Sequence, residues 1–160
     1  MNTTIAVRIA PSRGPDANGE KGVFAARDLI TGEHIGTFAG TESATRTRMS
    51  LQFGPEQHIE PGETDPLRYL NHACEPNTVF HNRELTARVA IAADAEITID
   101  YNCHEPELAS PFACRCGADE CVGMVRGARH LTEAQHRARY GRLQAWLIEK
   151  GERGEMGETR

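Results

Sequence analysis

The chain has 160 residues, 39% of them hydrophobic and 26% charged, with a net charge of -5. That composition suits one globular domain with a small appendage. It excludes a membrane-spanning helix, which needs about 18 consecutive apolar residues, and it argues against a nucleic-acid binder, whose footprint is a basic domain.

The elements follow in chain order. Met1 to Pro11 holds Arg8 inside its one apolar stretch and has no basic segment before it, so it does not read as a secretory signal. Within it, Ile5 to Ile9 alternates apolar and polar residues, as a half-buried strand does. Pro11 to Gly22 is rich in Gly, Pro, Asp and Asn and predicts a loop. Val23 to Ala26 and His34 to Phe38 predict strands, with Thr31-Gly32 turning between them. Val79 to His81, Leu85 to Ile91 and Glu96 to Asp100 predict three more, the first two joined by Asn82-Arg83-Glu84. This spacing describes a mostly-β domain of short strands and leaves no room for the helical crossovers of a doubly wound α/β fold. Thr132 with Gln135 matches a capping box, and Leu143, Trp146 and Leu147 follow the spacing of a buried helical stripe. One C-terminal helix is expected over 128–150, weakened at Gly141, with a frayed polar tail over 151–160.

Charge is unevenly spread. Residues 55–105 carry ten acidic and three Lys or Arg residues, a balance of -7, while 126–160 carry eight basic and five acidic, a balance of +3. An acidic middle favours a cationic partner such as a lysine-rich peptide. Only Lys21 and Lys150 are lysines.

Cys114, Cys116 and Cys121 form C-x-C-x4-C, and a turn around Gly117 can bring their thiols onto one ion. Structural zinc takes four ligands. The fourth is open between Cys74 and Cys103, with His72 and His104 as weaker options. A cytoplasmic, reducing setting suits five cysteines that hold metal rather than form disulfides. Two further segments are unusual. Arg68 to Asn77 gathers Asn71, His72 and Cys74 before a proline, and about 25 residues later Glu96 to Tyr101 reads as a strand ending in a tyrosine.

Together these segments resemble the SET-domain methyltransferases. R-Y-L-N-H-A-C-E-P-N looks like the family's N-H-x-C-x-P-N motif, and E-I-T-I-D-Y looks like its second signature. F-A-C-R-C-G-A-D-E-C-V-G looks like the post-SET zinc segment, and G-V-F-A-A-R-D from Gly22 looks like the first motif. Three positions depart from the usual pattern: Glu20 sits two before Gly22, Phe38 stands where many members carry tyrosine, and Ile99 stands two before Tyr101.

The resemblance implies a SET fold with a knot-like threading, a SET domain over 1–110, a post-SET zinc segment over 111–127 and a helix beyond. It implies S-adenosylmethionine as cofactor, held by Lys21, Gly22, Val23, Phe24, Tyr69, Asn71, His72, Tyr101, Phe112 and Cys116. Tyr101 would be the catalytic residue. Cys74 would join Cys114, Cys116 and Cys121 on zinc. The expected reaction is methyl transfer to a lysine of a basic protein, with a dimer through the C-terminal helix as one arrangement. The alternative is a non-catalytic SET-fold module that binds basic tails.

Overall fold

The computed structural model describes residues 6–14 and 20–152, with the side chain of Glu152 outside that set. Within the first half lie β1 (Val7–Pro11), β2 (Lys21–Ala25), β3 (His34–Thr37), β4 (Thr41–Ser43), β5 (Leu51–Gly54), β6 (Gln57–Glu60) and β7 (Asn71–His72). Then come β8 (Thr78–His81), β9 (Glu84–Ala87), β10 (Glu96–Ile99), β11 (Phe112–Ala113), β12 (Met124–Val125), α1 (Glu133–Arg139) and α2 (Ala145–Glu152).

The principal sheet runs β1-β2-β10-β7. β1 and β2 pair antiparallel from Val7 opposite Ala25 to Pro11 opposite Lys21. The predicted loop over 11–22 is therefore strand at both ends, with residues 15–19 outside the described set, as is Ile5 of the first predicted strand. β2 is buried from Gly22 to Ala25 because sheet partners flank it on both edges. Val23 and Ile97 face each other across the β2–β10 ladder and are fully buried. They join Leu29, Leu85, Ile59, Phe38 and Ile99 in one core. Each such aliphatic side chain contributes about 1.5–3 kcal/mol by leaving water.

A second sheet, β3-β9-β8, turns at Asn82, whose φ of 54° is the left-handed conformation that asparagine tolerates. The predicted strand over 85–91 stops at Ala87, and Ile91 reappears only as an isolated bridge to Leu29. A third sheet, β4-β6-β5, was not legible, because β4 is Thr-Glu-Ser with every residue exposed.

The C-terminal region differs from the expected single helix. Thr132 and Gln135 do form both halves of the capping box that opens α1. The chain then tightens into a 3-10 turn over Tyr140–Arg142, extends at Leu143 and restarts as α2. Gly141 weakens a continuous helix, and docking onto the domain decides the break. The Gln144 N–H donates to the Cys103 carbonyl at 3.0 Å. Leu147 is fully buried against Ala128 within the same chain. Gly151 and Glu152, expected in the tail, belong to α2. None of the described helices is long and apolar enough to cross a membrane.

Candidate active site and metal centre

β7 is two residues long, yet it fixes the site. It pairs parallel with β10, setting Asn71 opposite Thr98 and His72 opposite Ile99. The two motifs, separated in sequence, thereby lie side by side. Just past the end of β10, Asp100 caps a 3-10 turn that begins at Tyr101.

Asn71 lies at the open end of β2. Its Nδ2 donates to the Lys21 carbonyl at 3.0 Å and to Glu96 Oε1 at 2.8 Å. Both amide hydrogens are thus spent within the protein, which leaves Oδ1 as an acceptor. Glu96 also accepts from Ser12 Oγ at 2.8 Å. A Cβ added at Gly22 would sit 2.4 Å from Glu96 Oε1 and 3.2 Å from Asn71 Nδ2, so this corner needs glycine. The corner offers carboxylate and carbonyl oxygens, which suits an ammonium group such as that of an amino acid. The β10 ladder meets Phe24 and Val23, whereas Lys21 and Gly22 lie past its end. Val23 is buried in the core, and Phe24, opposite Glu96 in the β2–β10 ladder, is buried beneath the guanidinium groups of Arg8 and Arg13. Glu20 pairs with Arg48 at 2.5 Å, and Lys21 Nζ stands 5.0 Å from the Tyr69 ring centroid.

Tyr101 donates its hydroxyl to the Leu70 carbonyl at 2.6 Å. Burial, reinforced by the negative charge of Glu20, raises its pKa well above the ordinary value, so the phenol stays neutral. Its ring joins those of His72 and Phe112, with centroids 5.4 to 6.0 Å apart. The Tyr101 backbone N–H donates to His72 Nδ1 at 3.1 Å. That bond assigns the proton to Nε2, which stands 3.3 Å from Cys74 Sγ. Burial depresses the His72 pKa to about 4, with Asp100 opposing and Arg139 assisting, so the ring is neutral. Phe38, one of the three departures from the family pattern, is buried in an aromatic cluster with Phe53 and Phe80.

Cys74, Cys114, Cys116 and Cys121 bring their sulfurs within 4.8 Å of one another, and Cys74 and Cys114 are 3.9 Å apart. Tetrahedral zinc with bonds of about 2.3 Å needs sulfurs about 3.8 Å apart, so the set fits a zinc ion. Burial pushes the Cys74 thiol up to about 12 and raises Cys114 as well. For Cys116 burial acts the same way, but it is outweighed by the Ala118 and Cys74 backbone N–H groups and the neighbouring thiols, which draw it to about 7. A metal-free cluster therefore holds protons that zinc would displace. Cys103 lies apart, buried near Arg139 and Arg142. His104 packs edge-on to Phe80 and is not among the converging ligands.

Sequence reasoning missed three residues. Glu96 holds the Asn71 amide, Asp100 precedes Tyr101 and is buried, and Arg139 reaches Asp100 from α1 at 2.6 Å. Glu96 and Asp100 were visible only as letters of the E-I-T-I-D-Y motif. Arg139 is one of several arginines in the C-terminal segment, and its letter alone does not set it apart.

The SET domain family model matches residues 20–102, just over half the chain, and the protein belongs to that family. The methyltransferase flvH of Aspergillus flavus is 32% identical over 99 residues, which is 59% of this chain and 54% of that protein. The probable histone-lysine N-methyltransferase lin-59 of Caenorhabditis elegans is 33% identical over 70 residues, 39% of this chain and 5% of that one. The chain thus spans about half of the first relative and a small part of the second. Among solved structures, KRYPTONITE in complex with mCHG DNA and SAH superposes with a TM-score of 0.60 at 23% identity, covering 74% of this chain and 28% of that one. A second KRYPTONITE complex, with mCHH DNA, an H3(1-15) peptide and SAH, gives 0.56 at 22% identity, covering 74% and 29%. These structural likenesses establish the fold.

Proposed function

We propose that this chain transfers a methyl group from S-adenosylmethionine to a lysine side chain of a basic protein, with zinc ordering one wall of the site. The observation that carries the reading is the parallel pairing of β7 with β10, beside which the Asn71 corner, the Tyr101 hydroxyl and the four thiols lie together. The relatives' methyltransferase names and the SAH and H3(1-15) peptide of the KRYPTONITE complex support it. A reducing cytoplasm suits the five free thiols.

Bound S-adenosylmethionine would supply an electrophilic sulfonium methyl. The chain's own residues would do the rest by binding and orientation. Asn71 Oδ1 and the neighbouring oxygens would receive the ammonium of the cofactor's amino-acid end, with Lys21, Gly22, Tyr69 and the His72 backbone around it. Cys74, Cys114, Cys116 and Cys121 would hold zinc, so that Phe112 and the Cys116 backbone close over the cofactor. An attacking lysine must be neutral, although its ordinary pKa is about 10.4. A dry channel beside Tyr101 would disfavour the ammonium form. Tyr101, itself neutral and fixed to Leu70, orients and polarises rather than abstracts a proton. In-line positioning of nitrogen, methyl and sulfur supplies much of the acceleration.

The test is incubation with tritiated S-adenosylmethionine and a host-cell lysate, with mass spectrometry of labelled sites and Tyr101→Phe as control. Label on lysine side chains that vanishes in the control is expected. Cofactor binding with no label in any lysine would return the chain to the alternative, a SET-fold module that only binds basic tails.

A further inference from the structure

Helix α1 has seven residues, and the one it buries is Arg139. The helix contributes no fully buried apolar side chain. Arg139 is wholly inaccessible to solvent, and its planar fork reaches three partners. Nε donates to Asp100 Oδ2 at 2.6 Å, Nη1 to the Gln135 carbonyl at 3.2 Å, and Nη2 to the Glu120 carbonyl at 3.3 Å. Asp100 directly precedes Tyr101, and Glu120 directly precedes Cys121. The second Asp100 oxygen accepts from the Asn102 backbone at 3.0 Å and from Asn102 Nδ2 at 3.2 Å, and it lies 3.6 Å from His72 Nδ1. Asn102 Oδ1 in turn accepts the Gly127 N–H at 3.1 Å, where the chain leaves the zinc segment.

We infer that Arg139 is a positioning residue, which ties α1, the turn that carries Tyr101 and the zinc loop into one fixed arrangement. A buried ion pair adds little net stability compared with apolar groups of the same volume. Its directional fork is what apolar side chains lack, and a lysine, with one point charge, cannot reproduce it. The C-terminal extension is therefore part of the active-site architecture, through a side chain that touches neither metal nor cofactor. The effect on turnover rests on the methyl-transfer reading; the effect on the metal does not.

The experiment compares the zinc-loaded full chain with Arg139→Lys, Arg139→Met and the double variant Asp100→Asn/Arg139→Met. The double variant removes both buried charges and so avoids stranding one of them. Thermal melting checks folding, a chromogenic chelator reports the rate of zinc loss, and methyl transfer is split into kcat and the KM for cofactor. The double variant is expected to melt as a folded protein but to lose zinc about tenfold faster or more, the scale of outer-shell substitutions. Its kcat should fall while the cofactor KM holds, and Arg139→Lys should lie between it and the wild type. Wild-type zinc loss in both the double variant and Arg139→Lys would overturn the inference and leave Arg139 a packing residue. If Arg139→Met alone fails to fold, those two still decide. If the wild type transfers no methyl group at all, the function reading fails and the zinc rates judge Arg139 by themselves.

Discussion

From residue 20 to 102 the side chains of Val23, Ile59, Leu85 and Ile97 are completely excluded from water, whereas from Phe112 to Val125 only Val125 is. The first region has long ladders and one continuous aliphatic core. The second has a two-residue strand pair, exposed residues at Arg115, Gly117, Asp119 and Glu120, and four thiols around a point. Ordering a residue costs about 1–2 kcal/mol in backbone entropy. The strand region offsets that cost by apolar burial, and the zinc segment lacks the side chains to do so. Its order must come from metal binding, which in such loops is folding free energy. The two regions share Cys74, which belongs to the motif segment by sequence and to the cluster by position.

Removing zinc should separate them most sharply. Chelation is expected to abolish methyl transfer and the protection of amides over 112–125, while far-ultraviolet circular dichroism keeps the strand signal. A global melt on chelation would instead make the metal a requirement of the whole fold.

Damage to the core should have the converse effect. Ile97→Ala leaves a cavity in the β2–β10 ladder and should cost about 2–5 kcal/mol in denaturant unfolding. The variant that remains folded should bind zinc with wild-type stoichiometry; loss of zinc alongside the core would erase the distinction between the regions.

Chemistry at their junction should be lost without loss of either. Tyr101→Phe removes one hydroxyl and should lower kcat about a hundredfold or more, the scale for a preorganised donor. Cofactor affinity by calorimetry should hold, whereas Asn71→Ala should weaken that affinity itself. An unchanged rate in Tyr101→Phe would refute the role assigned to the phenol.

The effect narrowest in scope, confined to the pH dependence of stability, concerns Glu105, which lies between the two regions in sequence. Burial raises its pKa from 4.5 to about 8, against the pull of Arg46, and among the described residues nothing hydrogen-bonds its Oε1. Between those values the folded chain keeps a proton that the unfolded chain has released, so this group's contribution to stability declines as pH rises from 4.5 toward about 8. Glu105→Gln should flatten that decline, so that its gain over the wild type grows as pH rises from 4.5 toward about 8. Parallel stability–pH profiles for the two proteins would contradict the buried, protonated state.

Much of this protein can be read from its sequence alone. The alternation at Leu85–Ala87 and Glu96–Ile99 marks strands, Thr132 and Gln135 mark a helix start, and Cys114, Cys116 and Cys121 mark a metal loop. These are local patterns, written within a few residues, and local backbone preference is enough to express them. What the tertiary structure alone decided is long-range. Asn71 and Thr98 are paired across 27 positions by two residues of parallel strand, which carry no periodicity. Thr41–Ser43 forms a strand with no buried face to announce it. The helix breaks between Arg139 and Ala145, where Gly141 weakens it and Gln144 docks on Cys103. Arg139 has the same letter as its exposed neighbour Arg137, whose partner is Glu133 in its own helix. Only the approach of Asp100, 39 residues earlier, makes Arg139 a buried charge, and no local pattern encodes which carboxylate a folded chain will bring to meet it.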